Sequence, residues 1–177
     1  MKRGTVLLLV ALLNGCGGTA APDPRTYDLG IDAPGAGLPP VRVGAVRAAA
    51  PFESTDMQYR LAYRNAAEIA AFASSRWAAT PAEMLRKQLL RAASQLPGKC
   101  SLELEIQEFT QVFTAGETSE ARIELRASVR GGAARSLKVV EPNAGADAVS
   151  GAAAFARAAN RVVGDLGGWI AAQPDCR

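Results

Sequence analysis

Histidine is missing from all 177 residues. That absence removes Ser-His-Asp and Cys-His nucleophilic schemes and takes away the commonest zinc ligand. Net charge is also scarce, at +3 for the whole chain, with Lys2 and Arg3 at its very start. So even a balance argues against nucleic acid as a partner, which would favour a concentrated basic patch. The leading apolar run, Thr5 to Leu13, has about nine residues, whereas a membrane-spanning helix takes roughly 20. Gly167-Gly168 lacks the Lys-Ser/Thr of a phosphate loop. No internal repeat or heptad array is present. Glu103 and Glu105 stand two apart on one strand and form no opposed carboxylate pair of the glycosidase kind. These absences point away from an enzyme.

What is present begins with Met1-Lys2-Arg3, the short apolar run, and Leu12-Leu13-Asn14-Gly15-Cys16. A basic start followed by an apolar core of this length is the pattern of a secretory signal. The segment ending at Cys16 resembles a bacterial lipobox, in which the cysteine is acylated and becomes the new N-terminus. The resemblance implies covalent diacylglycerol and acyl lipid on Cys16, and no other cofactor. Each buried methylene contributes about 0.8 kcal/mol and two or more chains anchor stably. Gly17, rather than Asp, follows the cysteine, which resembles the sorting signal for the outer membrane, periplasmic face. Residues 1–15 are thus expected to be a signal peptide, leaving 162 of the 177 residues and a charge near +1. Residues 16–25 are expected to be a lipidated tether, with Pro22 and Pro24, reaching about 30 Å when extended. Residues 26–177 have a length suited to one domain.

With Cys16 lipidated, Cys100 and Cys176 remain as an even pair in an oxidising compartment, and a disulfide between them is expected over two buried thiols. On the chain-entropy model such a bridge stabilises by roughly 4 kcal/mol.

Along the domain, Tyr27 and Leu29 alternate with Thr26 and Asp28 as a short strand. Val41 to Val46 and Met57 to Tyr63 alternate with period two, which predicts strands. Ala67 to Ala73 reads as a further strand after a turn at Asn65-Ala66. Thr80-Pro81-Ala82-Glu83 is a capping box with proline at the first helical position. The stripe Met84, Leu85, Gln88, Leu89, Ala92 predicts an amphipathic helix ending near Pro97-Gly98. Leu102, Leu104 and Ile106 alternate, then the parity shifts to Phe109 and Phe113, which predicts a bulge near Gln107-Glu108. A return strand carries Ile123 to Val129, with arginines placed opposite Glu103 and Glu105. Leu137 to Val140 forms another strand, and Asp147 caps a helix over Ala148–Ala172. The expected order is β-β-β-β-α-β-β-β-α, an α+β fold with a mostly antiparallel sheet and two amphipathic helices on one face.

The lipobox, Tyr27-x-Leu29, Val41-Arg42-Val43-Gly44-Ala45-Val46, Tyr59-Arg60-Leu61-Ala62-Tyr63-Arg64 and Ser75-Arg76-Trp77-Ala78-Ala79-Thr80-Pro81 together resemble the ABC-type transport auxiliary lipoprotein (PqiC-like) family. The resemblance spans nearly the whole mature chain. It implies a non-catalytic periplasmic accessory to an ABC transporter, with an MCE-domain protein as partner and lipids as cargo. It also implies a homo-oligomeric ring fixed to the outer membrane. A free-standing outer-membrane lipoprotein that aids envelope assembly, by binding a protein or peptidoglycan, is the alternative. Tyr59, Tyr63 and Arg64 are candidate partner contacts or strand positions. Trp77 is a candidate interface anchor or a packing residue. Phe109, Phe113 and Phe155 line a lipid pocket or, more simply, pack the core.

Overall fold

Fifteen residues of one strand run through the middle of the molecule and everything else is built against them. In the computed structural model, which describes residues 23–31, 35, 37–143 and 145–176, this strand is β5, Ser101–Ala115. Seven strands form one mixed sheet: β1 Arg25–Tyr27, β2 Arg42–Ala48, β3 Asp56–Leu61, β4 Ala70–Trp77, β5, β6 Thr118–Val129 and β7 Ala134–Asn143. On one side β5 pairs with β6 along its length, antiparallel, and β7 continues the meander around a turn at Gly131, whose φ is +77°. On its other side β5 is shared by two strands end to end. The first half, Ser101 to Ile106, pairs with β2, and Gln111 to Phe113 pairs with β3, both parallel. β4 joins β3 antiparallel, and β1 joins β4 parallel at the sheet's edge.

The expected α+β class and mostly antiparallel sheet are borne out, with an added short helix in the order. This is α1, Ala62–Asn65, which takes the place of the last two residues of the expected third strand. Tyr63 continues the period-two pattern of Met57, Tyr59 and Leu61, yet the chain turns off the sheet after Leu61 and leaves Tyr63 49% exposed. β4 begins three residues later than expected and runs on to Trp77. β7 extends beyond Leu137–Val140 at both ends.

The bulge at Gln107 is present. The register moves from Ile106 opposite Leu125 to Glu108 opposite Glu124. It keeps apolar residues on one face across a change of parity, so that Leu102, Leu104 and Ile106 before it and Phe109 after it are all buried. A second irregularity lies in β2, between Val43 and Val46, where Gly44 is pressed against β5. A Cβ at Gly44 would come 2.9 Å from the Leu102 carbonyl oxygen.

Helices α2, Pro81–Ala92, and α3, Ala148–Ala171, cover the buried face. Thr80 accepts from the Glu83 amide at 3.3 Å and Glu83 accepts from the Thr80 amide at 3.1 Å, closing the capping box. Asp147 caps α3 through the Ser150 amide at 2.8 Å. On α3, Gly167 faces the carbonyl of Gly37, 3.0 Å from where its Cβ would be. Among the described residues no helix is long and apolar enough to cross a membrane.

Candidate functional site

The expected signal peptide, Cys16 and the tether up to Pro22 lie outside the described residues. Within the domain, Cys100 and Cys176 are joined as a disulfide, with Cα atoms 5.0 Å apart across 76 positions of sequence. It ties the start of β5 to the short 3-10 turn Pro174–Cys176 that ends the described chain.

The four candidate contact residues separate. Trp77 is buried at the end of β4, its ring edge-on to Phe109 (5.6 Å) and Phe155 (5.3 Å), which themselves stack at 4.4 Å. Its indole N–H has no hydrogen-bond partner among the described residues. Trp77 therefore acts here as packing, and three rings so placed fill the space that a lipid pocket would need. Phe113 packs elsewhere, edge-on to Tyr59 at 5.9 Å. Tyr59 also lies 4.8 Å from Phe72 of β4, and both are partly exposed. Tyr63 and Arg64 are exposed on α1. So Tyr63 and Arg64 sit together on α1, Tyr59 packs among the rings of Phe72 and Phe113, and Trp77 stands apart from both.

The α1 turn rests on an ion pair the sequence reading did not single out. Arg60 Nε and Nη2 donate to the two carboxylate oxygens of Glu108 at 3.0 and 3.1 Å, with both side chains under 20% exposed. The hydroxyl of Thr110 also donates to Glu108. The third nitrogen of Arg60 donates to the carbonyls of Ala66 and Ala67 at 3.2 and 3.4 Å, just past α1. Glu108 and Thr110 have the opposite parity to Phe109, which faces α3. The α1 turn is therefore fastened to the sheet face opposite α2 and α3. A planar fork reaching a carboxylate at two points is the strong, geometrically specific form of this interaction. The visible signal was Glu108 beside a parity shift, but its partner lay 48 residues away.

A second polar cluster lies under the N-terminus of α3. Gln111 Nε2 donates to Ser119 Oγ (2.9 Å) and to the Asp147 carbonyl (3.2 Å). Asn143 Nδ2 donates to Ser119 Oγ and to the Gly145 carbonyl, both at 3.0 Å. The hydrogen bonds from the Ser150 hydroxyl and amide hold the Asp147 carboxyl below its ordinary range. On the outer strand, burial pushes Glu141 upward, but hydrogen bonds and charge from Arg157 and Arg161 outweigh it and the carboxyl is lowered. Those two arginines also donate to the carbonyls of Pro142 (3.1 Å) and Val140 (2.8 Å), occupying acceptors that an edge strand would offer to another chain. Arg130 meets Glu103 across the β5–β6 hairpin at 3.0 Å, as the strand pattern implied. Such exposed pairs contribute little.

Both clusters join capping, turn and strand residues, and in the second the Gln111 Oε1 has no hydrogen-bond partner among the described residues. Among the described residues no group of three His, Cys, Asp or Glu side chains converges as a metal site would require.

No family model and no curated protein matches the sequence. Solved structures do resemble the fold. Protein XCC0632 from Xanthomonas campestris, described as DUF330, superposes with a TM-score of 0.68 at 21% identity, covering 81% of this chain and 93% of its own. A second structure, of an uncharacterized protein, gives a TM-score of 0.64 at 12% identity over 84% of this chain and 99% of its own. At these identities the likeness is one of fold, and it extends over nearly the whole of both neighbours.

Proposed function

We propose that this chain is a lipid-anchored periplasmic accessory subunit, without catalytic activity, of an MCE-type ABC transport system that moves lipids across the cell envelope. The observation that carries the reading is the pairing of the cysteines. Cys100 and Cys176 are bridged, which suits an oxidising compartment and leaves Cys16, directly behind the apolar leader, as the one cysteine outside the bridge. Acylation there would fix the protein to the periplasmic face of the outer membrane. The surface offered to the MCE-domain protein is the one around Tyr63 and Arg64, backed by the Arg60–Glu108 pair. A ring of such subunits around the MCE assembly is part of the same proposal.

The test is made in the native host. Labelled palmitate is expected on the mature chain and absent from Cys16→Ala, which should leave the outer-membrane fraction. Affinity isolation of the tagged chain from cross-linked envelopes should recover an MCE-domain protein, and Tyr63→Ala with Arg64→Ala should reduce that recovery. Palmitate missing from the wild-type chain refutes the anchor. Recovery of peptidoglycan or another envelope protein, with no MCE-domain protein, replaces the transport role by that of a free-standing assembly factor.

A further inference from the structure

The outward side of α2 is not an ordinary solvated helix face. Residues 80–99 carry Arg86, Lys87, Arg91 and Lys99 against a single carboxylate, Glu83, which is held by the amide and hydroxyl of Thr80. These 20 positions therefore hold +3, or +2 with the neighbouring Asp28 counted, while the processed chain as a whole is near +1. Between the cations sit large apolar side chains. Of the five exposed ones among the described residues, Leu90 (47%), Leu96 (66%) and Ile31 (85%) are on or beside this face. Ile31 belongs to the segment after β1, which runs along the helix. Asp28 lies 3.8 Å from Lys87, the Gly30 carbonyl accepts from Arg91 at 2.8 Å, and the Leu38 amide donates to the Ala92 carbonyl at 2.8 Å. Beyond the helix, Pro39, Pro40, Leu96, Pro97 and Lys99 border an open, mainly apolar groove of about 400 Å³.

We propose that this face lies against an anionic phospholipid surface, with the cations over the phosphates and Leu90, Leu96 and Ile31 dipping below them. Interleaved Lys/Arg and Leu on one helix side is the chemistry of interfacial binding, in which buried apolar area and attraction to anionic lipid add. The route of the chain favours the same occupant. The tether enters the fold at Arg25–Tyr27, and Asp28, the next residue, is already in contact with Lys87. The lipid attachment thus emerges at the border of this face, about 30 Å from it at most. At that distance the bilayer is present at high effective concentration, and a weak contact suffices to orient the domain. This step rests on the acylation of Cys16 for the tether. It goes beyond that reading by giving the domain a fixed orientation, with α1 on the sheet face turned away from α2.

The acylated chain, isolated from its host, is reconstituted on phosphatidylcholine vesicles with and without one quarter phosphatidylglycerol. Leu96→Trp serves as a reporter, read as the difference from the unsubstituted chain, with lipids brominated on the acyl chain as quencher. The new emission is expected to fall by at least half on the anionic vesicles and little on the neutral ones, while Tyr63→Trp stays unquenched on both. Arg86→Gln with Arg91→Gln, two exposed positions, should weaken docking about 30-fold, taking about 1 kcal/mol, or fivefold, per cation. Equal quenching on neutral and anionic vesicles overturns the proposal, as does absence of quenching in a chain that floats with both. Flotation with anionic vesicles alone, with quenching, retains the face and refutes the anchor. Flotation with neither refutes both. A change in the Leu96→Trp emission that appears without vesicles and grows with protein concentration assigns the face to a second copy and also overturns it.

Discussion

Replacing Gly151 by alanine should destabilise the domain, although on an isolated helix the same change stabilises. Gly151 is buried in the first turn of α3, directly above the Gln111 amide. A Cβ at that position would lie 2.0 Å from Gln111 Oε1 and 2.7 Å from its Cδ, well inside contact distance. A long side chain on the surface would swing away. Gln111 has no accessible surface, and its Nε2 is bound to Ser119 and to the Asp147 carbonyl. Moving the amide costs one or both of those buried hydrogen bonds, about 1–3 kcal/mol, with overpacking of about 1–3 kcal/mol more. The helix-propensity gain of Gly→Ala returns about 1 kcal/mol at most. The net loss is therefore about 3 kcal/mol, or roughly 6–12 °C in Tm for a domain of this size. Urea unfolding of Gly151→Ala measures it, and a cycle with Gln111→Ala isolates the cause. In the Gln111→Ala background the same change should be neutral or stabilising, because the opposing amide is gone. A Gly151→Ala protein as stable as the parent, or an equal loss in both backgrounds, would refute this reasoning.

Reduction of Cys100–Cys176 removes a constraint on a long loop and should cost about 4 kcal/mol, seen as a Tm lower by roughly 8–16 °C in calorimetry; unchanged melting with both thiols titrated would contradict it. Glu141 has a lowered folded pKa relative to its ordinary 4.5. Its contribution is thus present above that value and lost as pH falls through the folded one. Arg157→Gln with Arg161→Gln should flatten this part of the acid limb in pH-dependent unfolding, and an unaltered limb would show that the arginines do not cause the shift. Asp147→Ala removes the cap of α3 and should cost about 1 kcal/mol at neutral pH. Because the carboxyl is lowered from 3.8, that difference should shrink when both proteins are compared in acid, below the folded pKa.

The parts of this fold that were legible in the sequence are those whose causes are local. Thr80, Pro81 and Glu83 fix the start of α2 within four residues, and Asp147 does the same for α3. The bulge at Gln107 was readable because it alone reconciles apolar Leu102, Leu104 and Ile106 with apolar Phe109. The Cys100–Cys176 bridge followed from parity of the count. Less legible were features decided across the chain. The strand pattern ran on through Tyr63, but the turn at α1 is held by Arg60, whose partner Glu108 is far away in sequence. Nothing in the alternation of β2 or β3 tells that both pair with β5 in parallel, since period two is common to both kinds of ladder. Tyr63 and Arg64 were singled out together and do share a surface, whereas Trp77, from the same resemblance, is buried because its ring completes the Phe109–Phe155 stack. The basic and apolar face of α2 was in plain view as sequence; its company, Ile31 and the prolines of the 39–40 turn, was not.

The division of β5 between two parallel partners bears on how the chain reaches its fold. The residues of β2 and β3 stand far ahead of their β5 partners in sequence, and the two strands do not pair with each other. A chain threaded through a membrane pore N-terminus first would deliver both before the strand that receives them. Only the β3–β4 and β1–β4 ladders could close early, and the open side of β3 would wait. The trailing part, β5 to α3, is by contrast a run of neighbours that zips locally, and local contacts form fastest. On the proposed route of export, the leading half is then the portion most in need of a holding chaperone, and the trailing half supplies the template on which it sets.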